Sequence, residues 1–319
     1  MTVNDEQTEW FQRTFEELVS NVDQVVLGKQ YVIRLAFTAL LSQGHLLLED
    51  YPGTGKTSLA RAMAETVDGL STRIQFTPDL LPGDVTGITI YDQSSAKFEF
   101  HAGPIFANIV LADEINRASP KTQSALLEVM EENTVTVDGV TRPVPSPFMV
   151  IATQNPIEQA GTYRLPEAQL DRFIMKTTLG YPDHASTMRI LEGTATLKSQ
   201  LSPVITPQAI EKMSELARGV FVSPVILDYI SRIIEASRNA SQVHLGSSVR
   251  GAIALTRVAK TWAISQGRGF VIPDDVKQLA NAVLSHRIIL DAEAEFDGVT
   301  ATAVIAQILL EVEPPLENS

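Results

Sequence analysis

The chain has 319 residues, a formal net charge of −13 and no cysteine, which excludes a disulfide scaffold and a thiolate metal site. The acidic balance also disfavours long-range attraction to nucleic acid and to acidic membranes. No run of 18 apolar residues occurs and the acidic start is unlike a signal peptide, so we expect no membrane insertion and a cytoplasmic location.

Apolar periodicity predicts alternating helices and strands in the first part of the chain. Helical spacing predicts helices over residues 5–20, 29–43, 56–67 and 119–132. Short apolar runs predict buried strands over residues 45–49, 108–112, 148–153 and 174–179, and residues 72–76 are a further plausible strand. Strands that alternate with helices favour a layered α/β domain with a largely parallel sheet.

Two further segments are predicted to be β-hairpins, over residues 86–101 and 134–144. The second contains Asp138-Gly139 between β-branched residues, which is a strong turn signal. From residue 184 onward the periodicity is helical only, which predicts a second, helical domain. We therefore expect an α/β domain over residues 1–183 and a helical domain over residues 184–319.

A glycine-rich turn joins the first predicted strand to the following helix, and it matches most of the phosphate-loop pattern G-x-x-x-x-G-K-[ST]. The glycines let backbone N–H groups approach phosphate oxygens, and the helix start adds further donors. Lys56 would neutralise the β- and γ-phosphates of ATP, and the Thr57 hydroxyl would bind Mg²⁺. The predicted nucleotide-binding residues here are Pro52, Gly53, Thr54, Gly55, Lys56, Thr57 and Ser58.

Asp50 stands where the phosphate-loop pattern has its first glycine. A carboxylate aimed at phosphates would repel them. We therefore expect the Asp50 side chain to point away from the loop, toward the end of the sheet.

Two adjacent carboxylates, Asp113 and Glu114, follow the predicted strand that ends at Ala112. Behind a phosphate loop this is the Walker B arrangement, in which Asp113 would hold Mg²⁺ through a water. Glu114 would then act as the general base toward the attacking water. The segment alone leaves open a solvated turn without a catalytic role.

Three polar side chains further along the chain are additional candidates. Asn155 ends the strand-like run Ile151-Ala152-Thr153-Gln154, where its amide could orient the attacking water. Arg172 and Arg250 each lie in a polar segment, and for each a surface pair with a carboxylate is the alternative.

The order of these motifs resembles the MoxR family of AAA+ ATPases. The resemblance covers nearly the whole chain, because the helical part is similar to an AAA+ lid. It implies an AAA+ P-loop αβα sandwich with a parallel sheet, followed by an all-α lid domain. The matching stretches are Val26–Gln30, Glu49–Thr57, Phe76–Asp84, Ala112–Ala118, Ala152–Pro156 and Leu165–Phe173.

The resemblance also implies roles for individual residues. Val26 and Gly28 would lie near the adenine, and Asn155 would be sensor 1. Arg172 would be the arginine finger that completes a neighbouring subunit's site. Arg250 would be sensor 2, which reaches the γ-phosphate from the lid.

In the family that these motifs resemble, members form hexamers and act with proteins that carry a von Willebrand factor A-like domain. This implies a homo-oligomeric, chaperone-like ATPase that uses ATP and Mg²⁺ to remodel, mature or assemble partner proteins. The two predicted hairpins would then face the pore of the ring.

Three other functions stay open at this point. The motor subunit of a metal chelatase is one, although five histidines and no cysteine favour no metal-insertion site on this chain. A nucleic-acid translocase is another, but the hairpin tip at Asp138 carries an acid and no base to meet phosphates. The third is a nucleotide-gated scaffold with little turnover, which the complete set of Lys56, Asp113, Glu114, Asn155 and Arg172 disfavours.

Overall fold

A five-stranded parallel sheet lies at the centre of the first part of the protein. The computed structural model describes residues 3–51, 53–155, 163, 165–192 and 201–315. The strands of the described residues are β1 (His45–Glu49), β2 (Ser71–Gln75), β3 (Gly87–Asp92), β4 (Lys97–Ala102), β5 (Ile109–Asp113), β6 (Thr134–Val137), β7 (Val140–Pro143), β8 (Met149–Gln154), β9 (Phe173–Thr177), β10 (Val243–Leu245) and β11 (Ile289–Leu290).

Helices cover both faces of this sheet and make up most of the C-terminal part. They are α1 (Asp5–Asp23), α2 (Gln30–Leu41), α3 (Lys56–Thr66), α4 (Pro82–Thr86), α5 (Pro120–Glu132), α6 (Glu167–Leu170), α7 (His184–Leu191), α8 (Pro207–Arg218), α9 (Pro224–Asn239), α10 (Val249–Ser265), α11 (Pro273–Leu284), α12 (Ala292–Phe296) and α13 (Ala301–Glu311). Among the described helices, none is long and apolar enough to cross a membrane.

The strand order of the large sheet is β2-β5-β8-β1-β9, and each neighbouring pair is parallel. All five strands were predicted, with bounds within two residues of those observed. Successive residues of a strand point to opposite faces, so a strand that is covered on both faces carries a nearly continuous apolar run. Because all five strands run in the same direction, their carboxyl ends share one edge of the sheet.

Two apolar clusters lie on the two faces of the sheet and give it its three layers. Leu46 and Leu48 of β1 pack in one cluster with α1, α2 and α3. Leu47, between them, packs in the other cluster with residues of α4 and α5. This confirms the predicted αβα sandwich.

The helical lid follows the sheet domain and shares its larger apolar cluster. Helix α10 packs on α1, α2, α8, α9 and α11, and residues from all six helices belong to that cluster. The boundary between residues 183 and 184 stays a prediction. The short antiparallel pair β10–β11 was not predicted, because strands of three and two residues are too short to show a period of two.

Both predicted hairpins are confirmed, as β3–β4 and β6–β7. Asp138 and Gly139 both have positive φ, 51° and 75°, as a type I′ turn requires. The Arg142 guanidinium of the second hairpin lies 3.9 Å from the ring centroid of Phe100 in the first. The two hairpins therefore lie against each other on the same side of the domain.

His45 is buried at the start of β1 and joins three elements. The Val150 N–H donates to its Nδ1 at 3.0 Å, so Nε2 carries the proton and donates to the Met130 carbonyl at 2.9 Å. Burial lowers the pKa of His45 to about 4, against the opposing effect of the Met130 hydrogen bond. Burial also lowers the pKa of His286 well below its ordinary value.

These two histidines predict that the protein loses stability in mild acid. The unfolded chain binds protons on both as the pH falls below about 6.5, whereas the folded chain excludes them, so the free energy of unfolding falls from there toward pH 4. His45→Gln should remove roughly half of this pH slope between about pH 6.5 and 5, measured by urea denaturation. The exposed His101 provides the control, since His101→Gln should keep the parent's slope; an unchanged slope in His45→Gln would contradict the assignment.

Candidate nucleotide-binding site

The carboxyl edge of the sheet gathers the polar residues that the sequence singled out. Across this edge lie Gln75 at the end of β2, Asp113 at the end of β5, Asn155 after β8 and Asp50 after β1. Neighbouring strands are about 4.8 Å apart, so β5 and β1 are separated by about 10 Å. The phosphate loop and the Asp113–Glu114 pair therefore face each other across Asn155.

The loop between β1 and α3 has the backbone of an anion site. Gly53 and Gly55 have φ of 82° and 95°, and Gly55 begins α3 with no side-chain cap. Within the described residues, the first N–H groups of α3 are therefore left without a side-chain cap. A Cβ built on Gly53 would meet nothing within 4 Å, so the space over the loop is open.

The charged and hydroxyl groups of this loop fit a phosphate group as well. Lys56 Nζ donates to the carbonyls of Asp50 and Tyr51, each at 3.3 Å, and within the described part of the chain it pairs with no carboxylate. Thr54 is buried and donates to the Tyr51 carbonyl at 3.3 Å, which braces the turn. Pro52 lies outside the described residues, and Thr57 and Ser58 occupy the first turn of α3.

The Asp50 side chain points away from the loop, as expected. Its buried carboxylate accepts hydrogen bonds from the backbone N–H groups of Leu179 and Gly180, the latter at 2.9 Å. These residues follow β9, the strand next to β1. Asp50 thus ties the start of the phosphate loop to the end of the neighbouring strand instead of repelling phosphates.

Asp113 and Thr57 are the residues here that could hold Mg²⁺. The Asp113 carboxylate is largely buried, and its Oδ1 accepts from the Thr153 hydroxyl at 2.6 Å. The described residues contain no group of three or more histidines or carboxylates arranged for a metal ion. Mg²⁺ is typically held by one or two protein oxygens together with phosphates, so this pair fits Mg²⁺ that arrives with a nucleotide.

The backbone of Glu114 has an unusual conformation that sets the direction of its side chain. Its φ and ψ are 56° and 50°, in the left-handed region that costs a non-glycine residue about 1–2 kcal/mol. Thr153 Oγ1 accepts the Glu114 N–H at 2.8 Å, while Glu114 Oε2 accepts from Gln75 and Arg117, each at 2.8 Å. Because Oε1 has no donor among the described residues, it is the oxygen available to a water.

The turn at Val26 and Gly28 is connected to the phosphate loop through the segment after β9, because Lys29 Nζ donates to the Tyr181 carbonyl at 2.6 Å. Gly28 has φ 70°, and a Cβ there would come within 2.5 Å of Ser186 Oγ, so the turn packs closely on the start of α7. Val26 is buried in the core cluster. The rings of Tyr51, in the phosphate loop, and Tyr181, after β9, stack with their centroids 6.2 Å apart.

Arg172 and Arg250 lie at the opposite, amino edge of the sheet. Arg172 directly precedes β9, whose first residue, Phe173, pairs with His45 at the start of β1. Strand β1 separates this edge from the phosphate loop by about 16 Å, which is farther than an arginine side chain reaches. The two arginines therefore cannot contact a phosphate bound to their own chain's loop.

One carboxylate brings these two arginines together. Arg172 Nη2 lies 2.9 Å from Glu131 Oε2, and Arg250 Nη2 lies 3.8 Å from Glu131 Oε1. Arg250 Nη1 also lies 3.8 Å from Asp171 Oδ2. Asp171 is in turn held by the buried Arg287 of the lid, whose Nε donates to it at 2.7 Å.

Comparisons with known proteins agree with this geometry. Residues 45–175 match the profile of the ATPase family associated with various cellular activities (AAA), and residues 235–308 match the AAA lid domain. The chain is 39% identical over 315 residues to Chaperone MoxR1 of Mycobacterium tuberculosis, which covers 96% of this chain and 84% of that protein. The chain belongs to the MoxR family of AAA+ ATPases.

Two further relatives cover nearly the full length of this MoxR-family chain. The uncharacterized protein YeaC of Bacillus subtilis is 47% identical over 304 residues, which is 94% of this chain and 95% of that protein. The crystal structure of an inferred ATPase of Cytophaga hutchinsonii is 40% identical, has a TM-score of 0.91 and covers 98% of each chain.

Several residues of the site in this MoxR-family protein were not singled out from the sequence. Gln75 and Thr153 lie at or within one residue of the ends of predicted strands, as Asp113 and Asn155 do, so their positions could have singled them out. Arg117 lies one helical turn after Glu114. Glu131 and Asp171 carry no sequence signal, because their arginine partners come close only through the tertiary fold.

The anchoring role of Asp50 leads to a prediction for Asp50→Asn. Asparagine keeps one carbonyl oxygen but turns an NH₂ group toward a backbone N–H, so we expect a loss of about 1–3 kcal/mol in the free energy of unfolding and a weaker affinity for Mg·ATP. Urea denaturation and calorimetric titration measure the two effects. Asp68→Asn is the control, since Asp68 is exposed with φ 50°, which asparagine tolerates; equal behaviour of the two variants would refute the anchor.

Proposed function

We propose that this MoxR-family protein hydrolyses ATP to ADP and phosphate in a ring of identical subunits, and uses the energy for chaperone-like remodelling of partner proteins. One observation carries the catalytic part of the proposal. An uncapped, lysine-bearing glycine turn and the Asp113–Glu114 pair meet at the same edge of one sheet. This arrangement fits a triphosphate on one side and its attacking water on the other.

The roles of the residues follow from their positions. The backbone N–H groups of residues 53–58 and the Lys56 ammonium bind the β- and γ-phosphates. Bound Mg²⁺, held by Thr57 and Asp113, supplies positive charge to the phosphate oxygens. Glu114 Oε1 accepts the proton of the attacking water, and Asn155 orients that water. Val26 and Gly28 form the turn against which the adenine lies.

The separation of the two edges supports a ring. Arg172 and Arg250 lie too far from their own phosphate loop, so they can act only on the nucleotide of another copy. A head-to-tail contact that places the amino edge of one copy against the carboxyl edge of the next closes into a ring when the rotation allows. In our proposal the ring is a hexamer, with Arg172 as the arginine finger and Arg250 as sensor 2.

Two features support a protein client over a nucleic acid. The first hairpin exposes aromatic side chains, with Tyr91 50% and Phe98 74% exposed, and the tip of the second carries Asp138. The acid at the tip disfavours contact with a phosphate backbone, and the exposed aromatic side chains suit contact with a polypeptide. A relative named Chaperone MoxR1 agrees with this choice, and we propose a von Willebrand factor A-domain protein as partner.

The role of Glu114 predicts the behaviour of Glu114→Gln. The amide cannot accept the proton from water, so turnover should fall by about 10²–10⁴, while Mg·ATP stays bound. Phosphate release and retention of radiolabelled ATP on a filter measure the two quantities. Glu128→Gln, which changes the same charge at an exposed position on α5, should match the parent; rapid turnover by Glu114→Gln would remove Glu114 as the base.

The trans position of Arg172 predicts complementation between two inactive variants. Arg172→Ala should bind ATP like the parent but lose most turnover, since an arginine finger contributes about 10³–10⁵ in rate. Lys56→Ala should bind ATP poorly yet keep its own Arg172. Mixing the two should restore part of the ATPase activity, because an intact finger then meets an intact phosphate loop.

The control for this experiment is Arg232→Ala, which removes an arginine of the lid that pairs with Asp228 on the same helix. Mixing Arg232→Ala with Lys56→Ala should give no more activity than the two proteins show separately. If the mixture of Arg172→Ala and Lys56→Ala also shows only the sum of the separate activities, Arg172 does not act in trans.

A further inference from the structure

Arg73 on the edge strand β2 contacts the carboxylate that is proposed to hold Mg²⁺. Its Nη2 and Nε donate to Asp113 Oδ2 at 2.6 and 3.2 Å. The strand register places Arg73 opposite Leu111 and Gln75 opposite Asp113, so Arg73 reaches Asp113 along the diagonal between the two strands. Neither the phosphate loop nor the Walker B pattern includes this arginine.

Both oxygens of Asp113 are therefore engaged by protein donors. Oδ1 accepts from the Thr153 hydroxyl at 2.6 Å, and Oδ2 accepts two N–H groups from Arg73. A guanidinium and a hydrated Mg²⁺ ion both need oxygen lone pairs, and two positive charges beside the same carboxylate would repel each other. The ion and Arg73 consequently compete for Asp113 Oδ2.

The exposure of the two partners indicates which of them gives way. The Asp113 side chain is 11% exposed and is held from behind by Thr153, whereas the Arg73 side chain is 51% exposed. Arg73 also has a second acceptor at hand, since its Nη2 donates to Gln75 Oε1 at 2.7 Å. Arg73 can thus leave Asp113 for Gln75 and water without leaving a buried charge unpaired.

The same contact connects the proposed metal ligand with the proposed general base. Gln75 accepts from Arg73 and donates from its Nε2 to Glu114 Oε2 at 2.8 Å. Arg73 and Gln75 are two residues apart on one strand, so their side chains lie on the same face. Two neighbouring side chains of an edge strand therefore contact both carboxylates of the Asp113–Glu114 pair.

We propose that Arg73 is a positioning residue that competes with Mg²⁺ for Asp113 and so sets the Mg²⁺ concentration that tight nucleotide binding requires. This proposal rests on the proposed Mg·ATP site. A purely structural ion pair at this exposure would contribute little and would leave the metal dependence unchanged. The Mg²⁺ dependence of nucleotide binding therefore separates the two roles.

The test measures binding of β,γ-imido-ATP by calorimetry over a series of Mg²⁺ concentrations and in EDTA. In Arg73→Met, which keeps an unbranched apolar stem but removes the charged guanidinium, the half-saturating Mg²⁺ concentration should fall about threefold to fivefold, as expected for loss of a half-exposed competing cation. The affinity in EDTA should stay at the parent's value. Mn²⁺ titrated in the presence of the analogue, followed by electron paramagnetic resonance, should show the same shift.

Two control variants isolate the competition from other effects of the charge. Arg73→Lys keeps a cation beside Asp113 and should need nearly as much Mg²⁺ as the parent. Arg61→Met removes the arginine of an exposed pair with Glu65 on α3 and should likewise match the parent.

Three results would overturn the proposal. One is an unchanged Mg²⁺ requirement in Arg73→Met, which would make the pair structural only. Another is a higher requirement, which would mean that Arg73 holds Asp113 ready for the ion. The third is a weaker affinity in EDTA, which would place Arg73 on the phosphates. Failure of the parent to bind the analogue with Mg²⁺ would instead refute the proposed function itself.

Discussion

The parallel alignment of five strands is the constraint on which the site depends. Parallel strands bring all their carboxyl ends to one edge, and this edge collects the phosphate loop, Asp113, Glu114 and Asn155 although they are far apart in sequence. The same constraint sends the residues that precede each strand to the other edge. Arg172 is therefore kept away from the nucleotide of its own chain by the length of β1.

Two carboxylates at the carboxyl edge, Asp50 and Asp113, lie close to the expected position of the phosphates, and both are paired with hydrogen-bond donors. Asp50, at the start of the phosphate loop, accepts two backbone N–H groups beyond β9. Asp113 accepts from Thr153 and from Arg73. Each of these two carboxylates is therefore paired with hydrogen-bond donors away from the phosphate loop. The groups that face the space over the loop are backbone N–H groups and the Lys56 ammonium, so the negative charges are kept apart from the expected position of the phosphates.

Much of the fold could be predicted from the sequence, because its strongest signals are local. Strands β1, β5 and β8 each contain a continuous apolar run, and the Asp138-Gly139 pair favours a type I′ turn. The phosphate loop and Asp113 were singled out from the sequence because the chemistry proposed for them requires particular residue types at a particular spacing. The orientation of Asp50 followed from electrostatics alone, and the structure confirms it.

The remaining features depend on contacts between distant segments, which leave no periodic or spacing signal. Arg73 and Gln75 alternate on an edge strand, a pattern that equally describes a solvated strand face. The pairing of Arg172 and Arg250 with Glu131 requires the ends of α5, β9 and α10 to meet. Likewise, β10 and β11 are recognisable as strands only because they pair.

The buried Arg287 mechanically couples the lid to the segment that carries Arg172. Its guanidinium donates to the Asp171 carboxylate and to the backbone carbonyl of Phe173, on both sides of Arg172. Arg250, on α10 of the lid, lies 3.8 Å from Asp171 and 3.8 Å from Glu131, the carboxylate that pairs with Arg172. A tilt of the lid would therefore move both arginines together, and in the proposed ring it would change the position of both at the neighbouring subunit's nucleotide.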